Sequence, residues 1–185
     1  GHALVAYYLK DADPIHKITI IPRGQALGLT TFLPETDRLS MNKDALIARI
    51  TVALGGRAAE ELMLKDYSTG VEGDLKDSTN VAYQMICKFG MSEKLGALSI
   101  PQGDSGNYLA MDYNAEEPVS DEIQEIVDEE VRGLLTKCYQ EAIKILSDNN
   151  SQLQSLADLL IEIETVSLEQ LNDLFHPPSP EGSPE

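Results

Sequence analysis

Residues 40–64 read SMNKDALIARITVALGGRAAEELML, and their periodicity decides the fold. Leu46, Ile50, Ala53 and Leu54 recur at three- and four-residue steps. That spacing puts them on one face of an α-helix, which runs on through Leu62 to Leu64. Ser40 is expected to cap it. Gly55-Gly56 interrupts the pattern at a cost of about 1 kcal/mol per Gly relative to Ala. The helix therefore either kinks there or packs very close to another element.

Downstream, helical patterning continues. Leu75, Ala82, Met85, Ile86 and Phe89 form the next stripe, and Gly90 is a natural stop after it. From Ser120 a long helix carries Ile123, Ile126, Val127, Leu134, Cys138, Ala142, Ile145 and Leu146, with Asp121 and Glu122 in its first turn. Asp148-Asn149-Asn150 breaks it. A shorter helix follows with Leu153, Leu156, Leu160 and Ile163, and Ser167-Leu168-Glu169-Gln170 opens a last one with a capping box.

Upstream the pattern changes. Ala3 to Lys10 is apolar and helix-compatible until Asp11-Ala12-Asp13-Pro14 ends it. Lys17–Ile21 is β-branched and reads as a strand. Pro22-Arg23-Gly24 turns, and Gly28–Phe32 reads as a second strand closing at Pro34. The prediction is a mainly α fold with a small two- or three-stranded N-terminal sheet and a C-terminal helical subdomain. Its parts are a core over 1–104, a mobile loop over 105–117, the helical subdomain over 118–175 and a disordered tail over 176–185.

Composition narrows the function classes. The net charge of −17 is uneven: −2 over residues 1–111 and −15 over residues 112–185. Such a field repels phosphate backbones and anionic lipid, which disfavours nucleic acid and direct membrane contact. No apolar run is long enough to span a bilayer, and no segment reads as a signal peptide. Cys87 and Cys138 sit at apolar helical positions, as buried free thiols of a reducing compartment would. No Walker-type phosphate loop occurs, so nothing here is expected to bind ATP.

Only three His are present: His2, His16 and His176. Gly1-His2 is compatible with the last two positions of an H-E-x-x-H zinc motif, in which two His one helical turn apart flank a general-base Glu, but on these two residues alone it reads more readily as a tag remnant or an exposed terminal pair. His16 precedes a strand without a ligand-spaced partner, and His176 lies in the tail. On the residues alone, Asp74 reads as a carboxylate complementing a helix dipole, and Glu60-Glu61 as a solvated helix face. The Gly28, Leu29, Thr30 and Thr31 run serves equally as a plain hairpin strand or as a sheet edge that pairs with substrate backbone.

Five blocks taken in order carry a family resemblance. They are Gly1-His2, Asp13-Pro14-Ile15-His16-Lys17, Ile21-Pro22-Arg23-Gly24, Gly55-Gly56-Arg57-Ala58-Ala59-Glu60-Glu61 and Ser68-Thr69-Gly70-Val71-Glu72-Gly73-Asp74. Together they resemble the peptidase domain of FtsH-type ATP-dependent zinc proteases, from residue 1 to about residue 175. The resemblance implies that His2 is the second zinc ligand and Asp74 the third. Glu60 is the rival carboxylate for that place. The family assignment makes it instead an acceptor for the free N–H of a zinc-bound His. The first His and the general-base Glu are expected upstream of Gly1, so the chain as given is expected to be inactive.

The resemblance also implies a zinc metalloendopeptidase of unfolded or membrane proteins. Its own ATPase module, which alone binds ATP, a membrane anchor and a homo-hexamer belong to the full-length protein. This domain is expected on the cytoplasmic, matrix or stromal side, soluble as a separate chain. The alternative reading is a non-catalytic pseudo-peptidase or helical oligomerisation scaffold.

Overall fold

The structure, a computed structural model, describes residues 1–22, 28–33, 40–100 and 119–176. The loop expected over 105–117 lies outside these residues, as does the tail beyond His176. The elements in chain order are α1 (His2–Tyr8), β1 (Ile15–Thr19), β2 (Leu29–Phe32), α2 (Lys43–Leu64) and α3 (Glu72–Tyr83). After them come α4 (Asp121–Asp148), α5 (Asn150–Ile163), β3 (Thr165–Ser167) and α6 (Leu168–Phe175). This is the expected mainly helical fold with one small sheet.

The decisive stretch forms α2, which runs unbroken through Gly55-Gly56. Its cap is Asn42, not Ser40: the Asn42 side chain accepts the Ala45 N–H at 2.8 Å, and Asn42 is the residue with extended backbone (φ −81°, ψ 171°). The glycines resolve as close packing rather than a kink. A Cβ on Gly55 would lie 2.9 Å from Val5 Cγ2, and one on Gly56 would lie 2.5 Å from His2 Nε2. Two small residues thus let α1 settle onto α2.

The stripe in α3 departs from its expected period. The chain winds as a π-turn over Gln84–Lys88, with Phe89 N–H bonded to the Gln84 carbonyl. The wider turn shifts the phase. Cys87 is buried, as expected, whereas Phe89, expected on the buried face, is 51% exposed. Gly90 stops the segment with φ +60°, as expected.

The sheet is antiparallel in the order β2-β1-β3. Ile18 is the hub of its register, opposite Thr30 on one side and Val166 on the other. The first strand begins two residues earlier than expected and ends at Thr19, so Ile20 and Ile21 lie outside it and are exposed. The third strand comes from far along the chain. Only three residues long, it gives no periodic signal of its own.

Two apolar clusters hold these elements together, and α4 threads both. One joins α1 (Leu4, Val5), the sheet (Ile18, Val166), the C-terminal half of α4 (Ala142, Leu146), α5 (Leu153, Leu156) and α6 (Leu171, Phe175). The other joins α2 (Ile50, Leu54) and α3 with its π-turn (Ala82, Met85) to the N-terminal half of α4 (Val127, Val131). Ser120 caps α4, which starts where expected, and Ser167 forms the expected capping box of α6 with Gln170. Cys87 and Cys138 are buried and free. Gly133, inside α4, has nothing within 4 Å of a Cβ placed on it. Gly133→Ala is therefore expected to stabilise the fold by about 0.5–1 kcal/mol, read as a rise in the denaturant midpoint at unchanged slope.

Candidate metal centre

His2 opens α1, and the space its ring occupies is the space left by the missing side chain of Gly56. On the same face of α2, one turn earlier, the Val52 carbonyl lies 2.9 Å from His2 Nδ1. A carbonyl oxygen only accepts, so Nδ1 carries an N–H. That leaves Nε2 facing Asp74 Oδ2 at 3.3 Å. Two electron-rich atoms at that distance require a cation between them, either a proton or a metal ion.

Asp74 sits in the first turn of α3 and is delivered by a short, tightly tied connection. Lys65 ends α2 in the left-handed region at φ 54°. Both oxygens of Glu60 then take Ser68: Oε2 accepts its backbone N–H at 2.9 Å and Oε1 its hydroxyl at 2.6 Å. Ser68 Oγ in turn accepts the Gly70 N–H at 3.3 Å, opening a 3₁₀ turn over Thr69–Val71 that leads straight into α3. The Ser68 hydroxyl and amide hold the Glu60 carboxyl below the usual range. Glu60 is thus engaged with the loop that carries Asp74. Among the described residues, the acceptor for the N–H of His2 is the Val52 carbonyl.

Both residues open onto a cleft of about 680 Å³ between α2, β2 and the start of α3. Gly28, Leu29 and Thr30 line it together with Phe32, which the sequence reading left out, whereas Thr31 does not. Alternation along the strand puts Thr30 and Phe32 on one face and Thr31 on the other, while Leu29 reaches the cleft from the strand's first position. Ala53, expected on the buried face of α2, is half-buried and forms cleft wall. His16 is exposed on β1 and is not part of the cleft. Val52 escaped the sequence reading because its contribution is a backbone carbonyl, and Gly56 was read as a point of close packing without being tied to His2.

The donor set fits zinc in kind. An imidazole nitrogen and a carboxylate oxygen are both zinc ligands at roughly 2.0–2.2 Å, and tetrahedral geometry then separates them by about 3.3–3.6 Å. The observed 3.3 Å matches that spacing. A ring nitrogen tied to a carbonyl is also how metal-bound His are usually oriented. In number the set falls one short of the three protein ligands of a catalytic zinc. Among the described residues no group of three or more His, Cys, Asp or Glu is placed to hold a metal.

Residues 1–174 match the sequence profile of peptidase family M41. The chain is 45% identical to an ATP-dependent zinc metalloprotease FtsH of Rubrobacter xylanophilus over 174 residues, covering 94% of this chain and 27% of the relative. It is 41% identical to the FtsH of Myxococcus xanthus (95% of this chain, 27% of the relative) and 40% identical to that of Bacillus subtilis (95% and 28%). The chain thus spans little more than a quarter of the length of the relatives it matches.

Proposed function

The chain belongs to peptidase family M41, and on that premise we propose that it is the zinc metalloendopeptidase domain of an ATP-dependent protease. The observation that carries this reading is the pairing of His2 Nε2 with Asp74 Oδ2 at 3.3 Å, with His2 Nδ1 already committed to Val52. His2 and Asp74 would be two of three zinc ligands. Joined before Gly1, the sequence His-Glu-x completes the H-E-x-x-H motif and brings the third ligand and the general base. The chemistry zinc supplies in such a site is Lewis acidity toward a carbonyl oxygen and acidification of water.

The chain's own residues do the orienting. Val52 fixes the tautomer and ring angle of His2, and Glu60 fixes the loop from which Asp74 emerges. β2 is an edge strand whose residues line the same cleft. An unfolded polypeptide would add to that edge through backbone pairing, which tolerates many sequences. Among the described residues no helix is long and apolar enough to cross a membrane. The ATPase ring that feeds the cleft, the membrane anchor and a six-membered assembly are accordingly assigned to the longer protein.

The test is cleavage of casein by that longer protein before and after chelation. Activity lost on chelation and restored by zinc is the expected result. Glu60→Gln is expected to weaken zinc affinity by roughly 10- to 100-fold. Cleavage untouched by complete metal removal would overturn the assignment.

A further inference from the structure

The C-terminal turns of α2 carry Arg57 and Glu61 one turn apart, and both reach to the same two tyrosines. The Arg57 guanidinium lies over the Tyr67 ring at 4.3 Å and 5.7 Å from the centroid of the Tyr139 ring. Glu61 Oε2 accepts the Tyr67 hydroxyl at 3.0 Å and also the Tyr139 hydroxyl. Tyr67 belongs to the connection before α3, and Tyr139 to α4. Tyr67 is 51% exposed, so burial does not explain where it sits; directed contacts do.

We propose that Arg57, Glu61, Tyr67 and Tyr139 form a clamp that positions Asp74 against His2 and ties the metal site to α4. The proposal rests on reading Asp74 as a zinc ligand. The connection has little slack to absorb an error. Tyr67 is followed at once by Ser68, which Glu60 holds at both its amide and its hydroxyl, and then by the 3₁₀ turn and α3. A shift of Tyr67 therefore moves the first turn of α3, where the Asp74 carboxylate stands. The Tyr139 hydroxyl stays a donor at all working pH values: burial, and then the Glu61 carboxylate, push its pKa up to about 12. Glu61 stays ionised for the complementary reason, its pKa lowered by the hydroxyls of Tyr139 and Tyr67. The clamp is thus a fixed fitting and not a pH switch. Since α4 runs through both apolar clusters, the fitting refers the ligand to an element anchored in each of them.

The experiment uses the full-length protein and measures zinc affinity by chelator competition, the visible spectrum of the cobalt-substituted protein, and melting of the metal-free form. Tyr67→Ala is expected to weaken zinc binding by about 10- to 100-fold and to alter the cobalt bands, with metal-free melting unchanged. Tyr67→Phe keeps the ring under Arg57 and is expected to lose much less. Tyr139→Phe removes one hydroxyl from Glu61 and is expected to fall between them; it decides the matter should Tyr67→Ala fail to fold. Wild-type zinc affinity and cobalt bands in Tyr67→Ala, or in Tyr139→Phe where that variant decides, while Asp74→Asn loses zinc, would overturn the clamp alone. Wild-type affinity in Asp74→Asn itself would overturn the ligand assignment and the clamp with it.

Discussion

A polypeptide of these 185 residues alone is expected to hold zinc weakly and to cleave nothing, whereas the same polypeptide extended by His-Glu-Ala and a preceding helix gains both properties. His2 and Asp74 are two donors, and catalytic zinc sites use three from the protein. The short polypeptide also has no Glu at the general-base position, a loss on the order of 10²–10⁴ in rate even with metal held. Folding does not depend on the extension, because both apolar clusters are built from residues of the chain itself. Zinc content and casein cleavage, measured on the two polypeptides side by side, check this. Full activity in the short form would mean that the catalytic site lies elsewhere. Inactivity in both would favour a non-catalytic scaffold.

Much of the fold was legible because it follows from local rules. The three-and-four spacing found α2 and α4, the capping box found the start of α6, and Gly90 marked the end of its segment. What was lost depends on contacts that sequence spacing does not carry. The π-turn changed the phase of the stripe after Tyr83 and left Phe89 exposed. Asn42 outcompeted Ser40 as the cap because it lies directly before the first helical residue. β3 is too short to show a period and forms only because β1 offers it an edge.

At the site, no spacing linked His2 to Asp74; their pairing was expected only through the family resemblance. The Val52 carbonyl was invisible for another reason: a backbone acceptor has no residue-type signature. Arg57, Tyr67 and Tyr139 were missed because Tyr139 reaches back from a different helix.

Gly56→Ala is expected to abolish zinc binding while leaving the fold intact. A Cβ there would lie 2.5 Å from Nε2 and 2.7 Å from Cε1 of His2, closer than real contacts allow. The imidazole, a side-chain end, yields before the α2 backbone does. In yielding it leaves both the Val52 carbonyl and Asp74. A displacement of about 1 Å at a reacting centre costs on the order of 10²-fold in rate, and a ligand turned out of place costs the metal as well. The helix itself gains up to about 1 kcal/mol from Ala in place of Gly, so the metal-free melting temperature should hold or rise. Gly73→Ala is the matched control: it adjoins Asp74, yet a Cβ there meets nothing within 4 Å, and zinc binding should persist.

Whether His2 and Asp74 share one zinc is read from zinc per chain in the extended polypeptide with and without Asp74→Asn. One zinc per chain is expected in the unsubstituted protein and little or none in Asp74→Asn, with unchanged helical content by circular dichroism. Stoichiometric zinc retained in Asp74→Asn, most tellingly if Glu60→Gln loses it, would contradict the claim and hand the ligand's place to Glu60.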